Sequence, residues 1–456
     1  MKCGRPKTFL LLLVMLQLHS TIHSKSVVNT LPGFSGRLPF RFETGYVGVG
    51  EKEEIQIFYY FFESERNPEQ DPLIIYLSGG PGAAAIYTCF YQIGPLSLKF
   101  GNSFEDTTLT LNPNSWTKMA NVIFFDIPVG TGFSYATTEE AWISNDSIVA
   151  NQVIDFLKKF YSDHPKFMKN PLYIAGISYM GLITPIVTLE LFNANERGDQ
   201  PSINIQGYIL CSPLTDKFMD FNSRIEYAHR MAIISDDIYS SAIENCHGDY
   251  MNMDKANALC YDSIQKYNDC TRGIDFRNIL DPLCDHSDLK PYCVEYNDKF
   301  IEAWANNKDV QQALNVREGT IGKWELVNIT LHYIEGKNDT LCYSYNIFSS
   351  FAYHKKLVDK NCRALIMSGD HDMTFPYNGV LKWIYALNLG KDSSWGPYYV
   401  DDQVAGYEMR YAKNNFSLTY ATVKGCGHSV GLYKPKEVMT LVEKWLAPKI
   451  YTSAII

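Results

Sequence analysis

The sequence predicts an α/β fold with a mostly parallel central sheet, helices on both faces and a helical, disulfide-bearing insertion. Short runs of β-branched and aromatic residues recur along the chain, and several are continuously apolar, as strands buried on both faces are. Segments with helical spacing of apolar residues, such as 147–161 and 437–446, lie between these runs. Such alternation of strands and helices is typical of a parallel sheet covered on both faces.

Seven runs are the predicted strands, and in chain order they read EIQIFYYF, PLIIYL, NVIFFD, PLYIA, INIQGYIL, RALIMS and LTYATV. From about 214 to 341 the strand pattern fades and cysteines accumulate, which indicates an insertion over the top of the sheet. We therefore divide the chain into a first core part (25–213), a helical insertion or cap (214–341) and a second core part (342–456), preceded by residues 1–24.

Residues 1–24 have the pattern of a secretory signal peptide. Three cations precede an apolar core, and small and polar residues follow it up to Ser24. The apolar run is short for a membrane span, although a signal anchor is the alternative, and no later segment is apolar enough to cross a bilayer. We expect export through the secretory pathway to the vacuole lumen or the extracellular space, with no membrane span after cleavage.

Composition narrows the class of protein. With 456 residues, 46% of them hydrophobic and 14% aromatic, the chain can bury a large core and is unlike a disordered protein. Its net charge is −9 and it has no long run of Lys or Arg, so we do not expect nucleic acid as a partner.

Polar residues and glycines follow four of the predicted strands. In an open α/β sheet, sites form at the carboxyl ends of the strands, so these loops are where a site is expected. In chain order they present Gly79 and Gly80, then Ser178, then Asp370 and Asp372, and finally His428. The order of serine, aspartate and histidine is that of the α/β-hydrolases.

These residue types suit nucleophilic catalysis. A serine hydroxyl is a weak nucleophile until an imidazole accepts its proton, and a carboxylate must hold that imidazole in the right tautomer. Backbone N–H groups of Tyr179 and Gly80 would stabilise the oxyanion. Taken singly, each has another interpretation: Ser178 as a turn serine, the glycine pair as a tight turn, Asp370 as a helix cap, or His428 as a surface histidine.

In the secretory pathway, cysteines can form disulfides and asparagines in sequons can be glycosylated. The insertion contains Cys246, Cys260, Cys270, Cys284 and Cys293, whose spacings fit disulfides better than a zinc site. We expect neither a metal nor a cofactor. Four Asn-x-Ser/Thr sequons are candidates for glycosylation, and they start at Asn145, Asn328, Asn338 and Asn415.

The chain resembles the serine carboxypeptidase-like family of α/β-hydrolases, most closely its plant acyltransferase branch. The resemblance spans nearly the whole mature chain and rests on segments that include NPEQDPLIIYLSGGPG, SWTKMANVIFFDIPVGTGFSY, SGDHDMTFPY and VKGCGH. It implies that Ser178 is the nucleophile, that His428 is the general base and acid, and that Asp372 orients the histidine. It also implies that Gly80 and Tyr179 form the oxyanion hole.

The same resemblance identifies expected substrate-binding positions, which are Ser78, Gly79, Gln92, Ile177 and Met180. In the peptidases of the family, an Asn, a Glu and an acidic residue grip the terminal carboxylate of the substrate, and here these positions are Ser78, Gln92 and Ile177. Loss of those partners predicts poor binding of a peptide C-terminus. Met180 occupies a position that is normally small.

The resemblance further implies the disulfides Cys246–Cys260 and Cys270–Cys293, with Cys284 unassigned. A cysteine pair that is usual in the family is replaced by Ala83 and Val327.

Three functions are compatible with these residues. The first is an acyltransferase that moves an acyl group from a 1-O-glucose ester, through an acyl-serine, to a small-molecule acceptor hydroxyl or amine. The alternatives are a serine carboxypeptidase and a non-catalytic companion paralogue that binds a partner or metabolite. An oligomer, either of identical chains or with a paralogue, is compatible with all three.

Overall fold

The structure is a computed structural model that describes residues 25–104, 106–254, 256–285, 290–328 and 342–447. The predicted signal peptide and the sequon at Asn338 lie outside these ranges.

The described chain contains one large sheet and two small ones. The strands are β1 (Lys25–Val27), β2 (Phe42–Val49), β3 (Ile55–Phe62), β4 (Leu73–Leu77), β5 (Leu96–Lys99), β6 (Thr108–Leu111), β7 (Asn121–Phe125), β8 (Tyr135–Ala136), β9 (Ser144–Asn145), β10 (Leu172–Ile177), β11 (Ile205–Cys211), β12 (Tyr343–Ser344), β13 (Arg363–Gly369), β14 (Gly390–Lys391), β15 (Gly396–Val400), β16 (Gln403–Lys413) and β17 (Phe416–Val423). Strands β5 and β6 pair with each other, as do β9 and β12, and the other 13 form the large sheet.

The centre of the large sheet is parallel. Six strands in the order β7-β4-β10-β11-β13-β17 run in the same direction. Antiparallel strands extend both edges, with β3, β2 and β1 beyond β7, and β16 with β14 and β15 beyond β17. The α/β-hydrolase fold is thus confirmed, in a sheet that is mixed as a whole. All seven predicted strands belong to it, whereas its other six strands, β1, β2, β8 and β14 to β16, were not predicted.

Twelve α-helices lie in the described ranges. They are α1 (Ala85–Tyr91), α2 (Asp146–Asp163), α3 (Thr184–Arg197), α4 (Lys217–Arg230), α5 (Asp236–Cys246), α6 (Ala258–Thr271), α7 (Val294–Asn306), α8 (Lys308–Ala313), α9 (Phe351–Leu357), α10 (Tyr377–Ala386), α11 (Val430–Tyr433) and α12 (Pro435–Leu446). The two predicted helices correspond to α2 and α12, and α4 to α8 occupy the region predicted as the insertion. Within the described ranges, no helix is both long enough and apolar enough to pass through a bilayer.

The core lies on both faces of the sheet, because alternate residues of a strand point to opposite sides. On β4, Ile74 and Tyr76 pack with α1 and α12, while Ile75 and Leu77 pack with α2 and α3 on the other face. All of these side chains are fully or almost fully buried. Burial of each contributes about 1.5–3 kcal/mol, which makes the parallel centre a rigid support for the loops at its end.

The region predicted as the insertion contains one disulfide that matches the expectation and one that differs. Cys246 and Cys260 are bonded, which joins the end of α5 to the start of α6. The expected Cys270–Cys293 bond is wrong, because Cys293 is bonded to Cys284. Cys293 immediately precedes α7 and lies nine residues after Cys284, whereas Cys270 is on an exposed part of α6 with a free thiol.

The three described sequons differ in their surroundings. Asn415 is exposed in the turn between β16 and β17, as a glycosylation site should be. The side chain of Asn145 caps α2 through its oxygen, and Nδ2 of Asn328 donates to the carbonyl of Gly130 at 2.7 Å. Glycosylation at all of these positions stays a prediction.

Candidate active site

Four loops at one edge of the sheet bring the predicted catalytic residues together. They follow β4, β10, β13 and β17, which are near neighbours in the parallel centre. Since the carboxyl ends of parallel strands meet at one edge, the residues that follow them share one site. Gly79 and Gly80 follow β4, Ser178 follows β10, Asp372 follows β13 and His428 follows β17.

Ser178 lies on a sharp turn between a strand and a helix. Its φ of 59° is in the left-handed region, and a single 3-10 turn, Ser178–Gly181, separates β10 from α3. A non-glycine residue in this region stores about 1–3 kcal/mol of backbone strain, a cost usual at functional turns. The geometry is that of a nucleophile elbow. Among the described residues, the hydroxyl of Ser178 has no hydrogen-bond partner.

Glycines make room around this elbow. A Cβ on Gly79 would lie 2.9 Å from Cβ of Ser178 and 3.4 Å from its Oγ. A Cβ on Gly176 would lie 2.3 Å from Oγ1 of Thr184. The 2.9 Å and 2.3 Å contacts are closer than real Cβ atoms allow. The loop after β4 therefore reaches the serine only because Gly79 has no side chain.

His428 and Asp372 form the pair that a general base requires. Nδ1 of His428 lies 2.8 Å from Oδ2 of Asp372, whose side chain is 0% exposed. The other carboxylate oxygen accepts hydrogen bonds from the backbone N–H groups of Thr374, at 2.7 Å, and Phe375, at 3.3 Å. The carboxylate thus accepts a hydrogen bond from Nδ1–H, which keeps the proton on Nδ1 and leaves Nε2 free to accept a proton. His428 itself is 9% exposed.

Asp370, the other acid of the same loop, has different partners. Its Oδ1 lies 2.6 Å from Nδ1 of His371 and accepts a hydrogen bond from the backbone N–H of Cys426 at 3.1 Å. The structure therefore pairs Asp372, and not Asp370, with His428.

Two backbone N–H groups are available for an oxyanion. Gly80 has a φ of 113°, and its amide has no acceptor among the described residues. Tyr179 lies in the first turn of the short 3-10 helix, where an N–H has no partner within the helix. The phenol of Tyr179 is held away from this role by a 2.5 Å hydrogen bond to Asp146, a buried carboxylate. The role of the Gly80 and Tyr179 backbone N–H groups as an oxyanion hole stays a prediction.

The expected substrate-binding residues are mostly buried. Ser78 shares a 2.8 Å hydrogen bond with Thr88 of α1, and Ile177 is 6% exposed and packs with the core on the α1 side. Oε1 of Gln92 is buried and has no hydrogen-bond partner in the described part of the chain. Met180 is 0% exposed and packs with α2 and α3. It therefore contributes to the packing beneath the turn at Ser178 and has no surface that a ligand could contact.

A contact that sequence reasoning missed links the insertion to the catalytic pair. The backbone N–H of His428 donates to the carbonyl of Arg277 at 2.6 Å. The guanidinium of Arg224 on α4 donates to the carbonyl of Thr374 at 2.8 Å and lies over the ring of Phe276. Contacts of this kind join residues that are about 150 positions apart, and they leave no local pattern in the sequence.

Ala83 and Val327, where the resemblance leads us to expect a cysteine pair, face each other. Ala83 and Val327 form an isolated antiparallel bridge, and the N–H of Ala84 donates to the carbonyl of Leu326 at 2.9 Å. The N–H of Asn328 donates to the carbonyl of Gly82 at 3.1 Å. Backbone pairing thus joins the loop after β4 to the segment around Val327 without a covalent bond between them.

The fold, the elbow and the Asp372–His428 pair define a serine hydrolase-type member of the α/β-hydrolases. A family model described as serine carboxypeptidase matches residues 32–448. The chain belongs to the serine carboxypeptidase family.

Plant relatives support this membership over nearly the full chain. Serine carboxypeptidase-like 16 of Arabidopsis thaliana is 44% identical over 448 residues, covering 98% of this chain and 99% of the relative. Serine carboxypeptidase-like 13 of the same plant is 43% identical over 440 residues, covering 96% and 98%. Among solved structures, a prohormone-processing carboxypeptidase from Saccharomyces cerevisiae matches with a TM-score of 0.70 and 20% identity, covering 89% of this chain and 91% of that one. At that identity the likeness shows the fold.

Proposed function

We propose that this protein is an acyltransferase that takes an acyl group from a 1-O-glucose ester and passes it to a small-molecule hydroxyl or amine. The observation that supports this proposal best is the loss of the asparagine and of both acidic residues with which a peptidase of the family grips a free carboxylate. Ser78 and Ile177 stand at two of those positions and Gln92 at the third. The proposed place of action is the vacuole lumen or the extracellular space.

The packing of these residues disfavours binding of a substrate carboxylate. The hydroxyl of Ser78 is already bonded to Thr88, and Ile177 offers only hydrocarbon. Taking a carboxylate out of water without compensating hydrogen bonds costs several kcal/mol. An ester carbonyl has no charge to desolvate, so a glucose ester avoids this cost.

The reaction would proceed in two steps at Ser178. In the first, Nε2 of His428 takes the hydroxyl proton while Oγ attacks the ester carbonyl; the bond to glucose breaks, and glucose leaves with that proton. In the second, His428 takes a proton from the acceptor, whose oxygen or nitrogen attacks the acyl-serine. The bond to Oγ breaks and Ser178 recovers its proton. The amides of Gly80 and Tyr179 would stabilise the oxyanion in both steps.

The test uses 1-O-benzoyl-β-glucose as donor with a panel of small alcohols and amines. We expect benzoylated acceptor to form faster than free benzoate, and we expect Ser178→Ala to abolish both products. The matched control is Ser162→Ala, which removes an exposed hydroxyl from α2 and should leave transfer unchanged. Wild-type protein that releases only benzoate at every acceptor concentration would contradict the transferase proposal.

The second candidate is a serine carboxypeptidase, which the description of the matching family model favours. It predicts release of C-terminal residues from blocked dipeptides at acid pH, without need of an acceptor. Labelling with a fluorophosphonate separates both enzymes from a non-catalytic companion, since only a working nucleophile forms an adduct on Ser178. Folded wild-type protein that forms no adduct would favour the companion.

A further inference from the structure

One loop of the insertion contacts both parts of the catalytic pair. We call it the positioning loop and define it as residues 274–282, because a bridge between Ile274 and Pro282 closes its base. It contacts the chain on both sides of Asp372: the N–H of Met373 donates to the carbonyl of Phe276 at 2.8 Å, and the N–H of Ile279 donates to the carbonyl of His371 at 3.1 Å.

The same loop holds the histidine from the other side. The carbonyl of Arg277 accepts the 2.6 Å hydrogen bond from the N–H of His428. The residue before the histidine packs tightly against the loop, because a Cβ on Gly427 would lie 2.5 Å from that carbonyl and 2.6 Å from Cβ of Asn278. The acid and the base therefore receive their spacing partly from a segment outside the hydrolase core.

The side chain of Arg277 links this loop to a neighbouring helix. Its Nε donates to Oδ1 of Asp275 at 3.0 Å, and the guanidinium also pairs with Oδ2 of Asp275 and with Glu295 of α7. The carboxylates of Asp275 and Glu295 are nearly buried, with side chains 9% and 11% exposed, whereas the side chain of Arg277 is 44% exposed. A planar fork with several donors makes such a pair directional, which a lysine cannot reproduce.

A disulfide fixes the helix that supplies Glu295. Cys293 lies directly before α7, and its bond to Cys284 ties the start of that helix to the chain just after the positioning loop. The positioning loop is thus connected to α7 twice, through the Arg277–Glu295 pair and through the Cys284–Cys293 bond.

We propose that Arg277 is a positioning residue, which keeps Asp372 and His428 at hydrogen-bonding distance through the positioning loop. The proposal rests on the proposed role of that pair as orienting acid and general base. Arg277 does not take part in proton transfer; it acts through the backbone of its loop, where the carbonyls of Phe276 and Arg277 accept hydrogen bonds and the N–H of Ile279 donates one. A misplacement of about 1 Å at a catalytic group can cost on the order of 100-fold in rate.

The test compares Arg277→Gln, Arg277→Lys and Glu295→Gln with the wild type. The matched control is Arg272→Gln, which removes an exposed cation of the insertion that pairs only with Asp269 among the described residues. Two readouts are used: the low-field proton resonance of Nδ1–H between His428 and Asp372, and the second-order rate of fluorophosphonate labelling at Ser178. Thermal unfolding reports separately on stability.

We expect Arg277→Gln and Glu295→Gln to shift or broaden the resonance and to slow labelling by about 10- to 100-fold. Arg277→Lys should recover only part of the rate, and Arg272→Gln should match the wild type. Folded Arg277→Gln and Glu295→Gln proteins with the wild-type resonance and rate would overturn the proposal. If Arg277→Gln does not fold, Glu295→Gln decides, because it leaves the pair with Asp275 in place.

The two readouts keep this proposal separate from the proposed function. A wild-type protein that shows the resonance but is never labelled would disprove the proposed activity, and the resonance would still decide the role of Arg277. A folded wild-type protein without the resonance would disprove the positioning itself.

Discussion

Replacing Asp372 by asparagine should remove most of the activity while keeping the fold. The substitution changes one oxygen to an NH₂ group with almost no change of volume. In the structure, one oxygen of Asp372 accepts hydrogen bonds from two backbone N–H groups, those of Thr374 and Phe375, and the other faces Nδ1 of His428 at 2.8 Å. An asparagine can satisfy the two N–H donors only with its oxygen.

The NH₂ group of the asparagine must then face His428. It is a donor, so Nδ1 has to become the acceptor and the proton moves to Nε2. In that tautomer the imidazole cannot take a proton from Ser178. The opposite orientation of the amide would place NH₂ against two N–H donors, which buries unpaired donors at about 1–3 kcal/mol each. The wrong tautomer is therefore the stable state.

The expected loss is about 10⁴-fold in the rate of acyl-serine formation, as for other enzymes in which this carboxylate becomes an amide. This equals about 5.4 kcal/mol of transition-state free energy. The assay is the rate of fluorophosphonate labelling at Ser178, with thermal unfolding as a check of the fold. The matched control is Asp370→Asn, since that acid contacts His371 and the backbone of Cys426. A folded Asp372→Asn protein that keeps more than about a tenth of the wild-type rate would refute the assignment.

Three further predictions follow from buried or exposed groups. Tyr179→Phe removes the 2.5 Å hydrogen bond to Asp146 and should lower the free energy of unfolding by about 1–3 kcal/mol. Fluorophosphonate labelling of Ser178 should persist, because the backbone amide of Tyr179 remains. Loss of labelling would show that the phenol is part of the site. Burial raises the pKa of Asp126 from 3.8 to about 7. Between about pH 4 and pH 7 the native state therefore keeps a proton that the unfolded chain releases, so the free energy of unfolding should fall as the pH rises through this range. Asp126→Asn should flatten this part of the pH dependence of thermal unfolding, and an unchanged slope would show that another group is responsible. Alkylation of the native protein should modify Cys270, since the other free cysteines of the described chain are buried; peptide mapping that finds Cys284 modified and Cys270 protected would restore the Cys270–Cys293 pairing.

Much of the site could be predicted because its parts are local. Each functional loop begins where an apolar strand ends, so the strands that precede Ser178, Asp372 and His428 also predict that these residues meet at one edge. The buried strands β4, β7 and β10 are continuous apolar runs, which explains why their predicted bounds are close to the observed ones.

The remainder depends on contacts between distant segments. Cysteine spacing does not determine connectivity, so the expected Cys270–Cys293 bond rested on the family resemblance alone, and the structure pairs Cys293 with Cys284 instead. Met180 could be assigned to the elbow from its position, but its burial against α2 and α3 required the packed structure. The contact between Arg277 and His428 joins two backbone groups, and any residue type can supply them.

The bridge between Ala83 and Val327 also affects the unfolded protein. These positions are about 240 residues apart, and a covalent bond between them would restrict the denatured ensemble by about 5 kcal/mol of loop-closure entropy. Backbone hydrogen bonds form only in the folded state and leave the denatured chain unrestricted. Folding of this protein therefore has to overcome more chain entropy than folding of the same chain with a disulfide between these two positions.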